Sequence, residues 1–237
     1  MLSDLLAELA PTGVLRAALN LGNPVLVQGT ADAPTGVTVD IAGEVAARLG
    51  VPVEFRCFHA ARESFEAAVA GQADICFLAI EPARASAIAF TAPYVLIEGV
   101  YAVPSESPLT TVAEVDSPGT RIGVRQGSAY DLFLTRTLKH ATVVRSKVDG
   151  TEVFATEGLE VAAGVREPVT EFVAAHPEYR LVEGRFMEIP QAVGTAAAKR
   201  PETVAFLREL IEELKASGFV AESLHRSGQT APVAPPT

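Results

Sequence analysis

Arg84 is the residue whose type and position promise the most chemistry. It lies in Ile80-Glu81-Pro82-Ala83-Arg84, just past a nearly continuous apolar run. A guanidinium fork there can hold a carboxylate through two parallel hydrogen bonds. Read alone, the same residue is a surface arginine after a proline turn. Ser128 follows Gln126-Gly127 and opens a helical pattern, so its hydroxyl and the N–H groups of Ala129 and Tyr130 form a seat for an anion; the plainer role is an N-cap. Asn20 and Asn23, in the turn Asn20-Leu21-Gly22-Asn23-Pro24, can donate or accept a hydrogen bond, or simply shape the turn. Glu81 beside Arg84 sketches a general acid or base, against which stands an ordinary ion pair.

Other chemistry lacks the residues it needs. The histidines, His59, His140, His176 and His225, are scattered and show neither H-x-x-x-H nor H-E-x-x-H spacing, so no metal or other cofactor is expected. There is no G-x-S-x-G elbow and no Gly-rich phosphate loop after a strand. Both cysteines lie in apolar runs and read as free buried thiols. With 19 basic against 29 acidic residues, a net charge of −10 and no Trp, the chain offers neither field nor stacking platform for nucleic acid.

The elements that must position these residues follow an α/β pattern. Leu15 to Leu19 reads as a strand, Val39 to Leu49 as a helix stopped by Gly50, and VPVEFRCF as a second strand. Arg62 to Ala70 repeats the helix, with Phe65 and Val69 on one face and Gly71 as stop, before the apolar strand ADICFLAI. After a Pro- and Ser-rich stretch, Pro104 to Pro108, the scheme restarts with strand RIGVRQ, helix Ser128 to Lys139, and strands ATVVRS and VAAGV. Gly158 to Val165 loosely echoes Gly71 to Ile80, each being a glycine, an acid and an apolar strand. Pro201 to Ser217 is a late amphipathic helix, and the Pro-rich tail from Gly228 is expected to fray. Met1 to Ala10 reads as a short amphipathic helix and not as an export leader, because it carries Asp4 and Glu8 and no basic residue. The expected location is therefore periplasmic where a leader has been removed, and cytoplasmic otherwise.

Specific strings then resemble the family 3 extracellular solute-binding proteins, the amino-acid-type receptors of ABC transporters. They are GVLRAALN, GVTVDIAGEVAARLGVPVEF, AVAGQADICFLAIEPARASAIAFTAPYV, TRIGVRQGSAYDLFL and ELKASGFVAESLHRSG. In the third, Gly71, Asp74, Arg84, Ile88, Phe90, Thr91, Pro93 and Tyr94 fit the family spacing. The resemblance implies a two-lobed type 2 periplasmic-binding fold that closes on a solute. Lobe 1 would comprise residues 1–103 and 195–237, and lobe 2 residues 104–194, with hinge crossings near Ala102 to Leu109 and Ile189 to Thr195.

It also implies site roles. Arg84 would hold a ligand carboxylate in the interlobe cleft, with Ser128 and Ala129 opposite it and Asn20 or Asn23 nearby. Ala79 and Glu81 occupy a strand end where relatives present backbone carbonyls and small hydroxyls. Where the family places an Asp for the ligand ammonium, this chain has Val165 or Arg166, followed by Glu167. An Arg166 facing Arg84 would favour an acidic ligand; an Arg166 paired with Glu167 or turned to solvent would not. The expected protein is a monomeric, non-enzymatic binder of a small anionic metabolite, a carboxylate or organic acid, serving an ABC permease. A cyclohexadienyl-dehydratase-like lyase and a sensor docking on a signalling partner are the alternatives.

Overall fold

A computed structural model describes residues 2–237, so the first residue of the expected N-terminal helix, Met1, lies outside the described residues. Two compact units form: residues 1–96 with 190–237, and residues 97–189. In chain order the elements are α1 (Leu2–Leu9), β1 (Leu15–Asn20), β2 (Gln28–Thr30), β3 (Ala33–Thr35), α2 (Val37–Leu49), β4 (Val53–Phe58), α3 (Ala61–Val69), β5 (Ile75–Ala79), α4 (Pro82–Ala85) and β6 (Ile88–Pro104). There follow α5 (Val112–Val115), β7 (Arg121–Arg125), α6 (Ala129–Thr137), β8 (Thr142–Ser146), α7 (Gly150–Glu157), β9 (Val161–Val165), α8 (Arg166–Ala175), β10 (Tyr179–Leu181), β11 (Met187–Ala196), α9 (Pro201–Ala216) and α10 (Phe219–Arg226).

In the first unit the strand order is β4-β1-β5-β11, the first three parallel and β11 antiparallel to β5. β5 is buried at every position, as an apolar run covered on both faces must be. Its neighbours Ala18, Ala68, Ala73, Ile88, Phe90 and Ala192 complete a core cluster with Cys76 and Leu78. In the second unit the order is β8-β7-β9-β6, with β10 added along β6. Phe154, Val100 and Val169 pack with Leu159 in its core.

The echo seen in the sequence is a shared construction. Arg16, at the start of β1, donates its backbone N–H and Nε to Asp74 Oδ2, both at 2.9 Å, and Nη2 to Asp74 Oδ1 at 2.6 Å. Arg121, at the start of β7, does the same to Glu160: N–H at 2.8 Å and Nε at 2.9 Å to Oε2, and Nη2 at 2.8 Å to Oε1. In each unit the acid stands just before a buried strand and follows a glycine with positive φ, Gly71 at 69° and Gly158 at 58°. That backbone region favours residues without a Cβ.

Three expectations are corrected. Val69 does not join a buried face of α3; it is 49% exposed, and the helix buries Ser64, Ala67 and Ala68. Cys57 is free but only half-buried, while Cys76 is free and fully buried. The tail does not fray: Val95 and Val233 form an antiparallel bridge, and Ala231 and Ala234 are buried. The chain passes from one unit to the other inside the long strand β6, at Leu96/Ile97, and inside β11, at Ile189/Pro190. Uninterrupted strands, and not the Pro-rich stretch Pro104 to Pro108, carry the chain across at both points.

Candidate ligand-binding site

The first unit builds its candidate residues off the end of β5. Glu81 is the N-cap of α4 and Pro82 its first helical residue, where a missing N–H costs nothing. The Glu81 carbonyl accepts the N–H of Arg84 at 2.9 Å and of Ala85 at 3.1 Å. This short turn drives the Arg84 side chain inward: Arg84 is 3% exposed, and Nη1 donates to the Ala79 carbonyl at 3.2 Å. A surface arginine is thereby ruled out. Burial pushes the guanidinium pKa down, opposed chiefly by the nearby Glu81 carboxylate. The same burial pushes the Cys76 thiol up to about 12, so it stays protonated at neutral pH. Glu81 is also 3% exposed.

Much of the sequence string around Arg84 proves structural. Ile88 and Phe90 are core, Tyr94 is fully buried edge-on to Phe77, and Thr91 Oγ1 accepts the Val193 N–H at 3.2 Å, tying β6 to β11. The turn after β1 divides its two asparagines. Asn20 Oδ1 accepts the Gly22 N–H at 3.0 Å, which is turn chemistry. Asn23 keeps a buried Oδ1 with no hydrogen-bond partner, and a group so placed calls for one.

In the second unit Ser128 caps α6, its Oγ accepting the Asp131 N–H at 3.1 Å. Asp131 in turn accepts the Gly127 N–H at 2.8 Å and the Nε of Arg145 at 3.0 Å. These bonds tie down the helix opening, with the amides of Ala129 and Tyr130 as its next donors. Val165 is the N-cap of α8 and supplies no side-chain acceptor.

Arg166 is engaged elsewhere than expected. Its Nε donates to Glu98 Oε2 and its Nη2 to the Gly184 carbonyl at 2.9 Å, so it pairs with Glu98 and not with Glu167, while its side chain stays partly exposed. Arg185 Nη1 reaches the other oxygen of Glu98 at 2.8 Å and Glu188 at 3.1 Å. Burial raises the Glu98 pKa, but the hydrogen bonds and charges of Arg166 and Arg185 outweigh it and hold the carboxyl below the usual range. Glu98 was missed by sequence reasoning. The only signal is the β6–β9 register, Gly99 opposite Val165, which sets Glu98 beside Arg166 and exists only once the strands pair. Glu167 Oε2 is buried and makes no hydrogen bond.

Among the described residues no cluster of three or more His, Cys, Asp or Glu is placed to hold a metal, and no helix is long and apolar enough to cross a membrane.

Solved structures similar to this chain share its fold at low identity. The L-cysteine solute receptor of Neisseria gonorrhoeae matches with a TM-score of 0.79 and 19% identity, over 94% of this chain and 92% of that one. The amino acid ABC transporter substrate-binding protein AbpA of Streptococcus pneumoniae, bound to L-arginine, matches with a TM-score of 0.76 and 17% identity, over 92% and 96%. The ancestral amino-acid-binding protein AncCDT-1, a precursor of cyclohexadienyl dehydratase, matches with a TM-score of 0.76 and 18% identity, over 94% and 98%. No curated protein sequence matches. The family model for bacterial extracellular solute-binding proteins, family 3, matches residues 16–227, nearly the whole of both units, and the chain belongs to that family.

Proposed function

We propose that this protein binds a small carboxylate-bearing solute, an amino acid in the first instance, and delivers it to an ABC permease. The observation that carries the reading is Arg84: a guanidinium 3% exposed, set by a four-residue helix at the end of a fully buried strand. A desolvated cation gains most from a carboxylate that can take two of its donors at once. Ser128 and the Ala129 amide are the proposed carboxylate contacts from the second unit, where a helix N-terminus favours negative charge. Asn23, with its buried acceptor, is the further contact from the first unit.

The class of solute turns on α8. An acidic ligand was expected if Arg166 were an uncompensated cation, and its engagement with Glu98 removes that support. Glu167, in the first turn of α8 with a buried, unpartnered Oε2, is the proposed partner of a ligand ammonium in place of the Asp this chain lacks at Val165. An α-amino acid then satisfies both ends. Arg166 and Ala79 fall back to supporting roles, Arg166 holding Glu98 and Ala79 holding Arg84.

A thermal-shift screen of the twenty L-amino acids against di- and monocarboxylic acids tests this, since a ligand that binds only the folded form raises its apparent stability. An amino acid should stabilise the wild type, and Arg84→Ala should abolish the shift. Stabilisation by organic acids alone would reject the amino acid and return the acidic-ligand reading. Arg84→Ala retaining full affinity would reject the site. Glu81 lies within electrostatic reach of Arg84, which favours an ion pair over an acid-base catalyst; formation of aromatic product from prephenate would reverse that judgement.

A further inference from the structure

The C-terminal residues 231–237 are held down by machinery that an incidental tail does not need. Leu96 N–H donates to the Pro232 carbonyl and Ala234 N–H to the Tyr94 carbonyl, each at 3.0 Å, on either side of the Val95–Val233 bridge. Lys215, on α9, has a side chain only 2% exposed, and its ammonium donates to the carbonyls of Pro235 at 2.9 Å and Pro93 at 3.2 Å and pairs with Glu212 at 2.6 Å. Glu212 also accepts from Thr237, from Oγ1 at 2.9 Å and from the N–H at 3.3 Å. A buried ammonium is costly unless all its donors are met, and here the tail supplies one of the acceptors. Pro232, Pro235 and Pro236 restrict the segment before it docks, so little chain entropy is lost on ordering it.

These contacts converge on Pro93 to Leu96, the last residues of β6 before the chain enters the second unit at Ile97. We infer that residues 231–237 act as a strap that clamps the outgoing end of β6 and confines flexing to the residues beyond Leu96. Without the strap, the Leu96 N–H and the Tyr94 carbonyl lose their partners and residues 93–96 join the flexing segment. A longer flexing segment gives the ligand-free protein more conformational freedom, which ligand binding must then remove, so the strap raises affinity without touching the ligand. That functional consequence rests on the binding reading above, whereas the strap itself does not.

The test is therefore made without ligand. Amide hydrogen exchange is compared between the full chain, a chain ending at Thr230, and full-length Lys215→Met, which keeps the tail and removes its central tie. Exchange at Leu96 and the next residues of β6 should accelerate at least about tenfold in the shortened chain and by less in Lys215→Met, while β1 and β5 are unchanged. In parallel, fluorophores are placed at Val69→Cys and Val148→Cys, both exposed positions on different units, in a Cys57→Ala background. The distribution of distances should broaden when the strap is cut or untied. Unchanged exchange in β6, or an unchanged distance distribution, in folded Lys215→Met and in the shortened chain overturns the inference. Because neither readout involves a solute, a wrong ligand class leaves it standing.

Discussion

At the residue scale, the same side-chain type serves three ends depending on what folding brings beside it. Arg84 is turned inward and buried by a local turn that also ties it to the Ala79 carbonyl, Arg16 is bound by Asp74 as a clamp between strands, and Arg166 is neutralised by Glu98. Only the first is singled out by the sequence, because its turn and its string are local. The Arg166–Glu98 pair spans 68 positions and arises from strand register, which no spacing rule reveals. This pair makes a pH prediction. The Glu98 pKa is lowered in the folded protein from an ordinary value of 4.5. Its contribution to stability is therefore complete above pH 4.5 and is lost as pH falls through the lower folded value. Glu98→Gln should be less stable than wild type at neutral pH, by roughly 1 kcal/mol for so exposed a network, and the gap should close on acidification. Urea titrations at a series of pH values read it directly; a gap that widens toward acid would show that the carboxylate is not held by the two arginines.

At the element scale, alternating strands and helices were readable because period and stop signals are local: β5 as an apolar run, α2 ending at Gly50, α6 opening at Ser128. The 17-residue β6 was not, since Pro93 interrupts the run and a proline argues against a strand interior. The carbonyls of Pro93 and Tyr94 find their donors outside the sheet, in Lys215 and the tail. The tail misled for the complementary reason: proline-rich composition signals fraying, yet a chain with few donors can still dock through its carbonyls. The Arg–acid clamp repeated in both units offers a matched experiment, for the geometry is the same and the burial is not. Asp74 has a side chain 2% exposed, and Glu160 one 40% exposed. Asp74→Ala leaves a part-buried Arg16 without its partner and should cost about 3 kcal/mol. Glu160→Ala should cost about 1 kcal/mol or less, because water replaces the lost oxygens. Equal losses in denaturant titration would mean that clamp geometry, and not desolvation, sets the energy.

At the scale of the whole molecule, each unit carries its own apolar centre, Leu78 among the residues of the first and Phe154 among those of the second. The two sets share no member, so each unit has a core of its own, the usual condition for a domain. Leu78→Ala and Phe154→Ala each remove a side chain that is 1% exposed and should each cost about 3 kcal/mol, with a cavity contribution that depends on local collapse. Because neither residue packs in the other's cluster, the double variant should equal the sum of the singles within about 0.5 kcal/mol in the absence of solute. A bound solute changes the reference: at a free concentration of 100 times Kd it adds about 2.7 kcal/mol to any variant that retains the site. If the solute engages Arg84 on one unit and the α6 opening on the other, both single variants should gain that increment alike, since unfolding either unit then releases the ligand. Calorimetry with and without solute distinguishes the cases. An increment that rescues Leu78→Ala but not Phe154→Ala would place the whole binding site on the first unit, and would remove Ser128 and Ala129 from it.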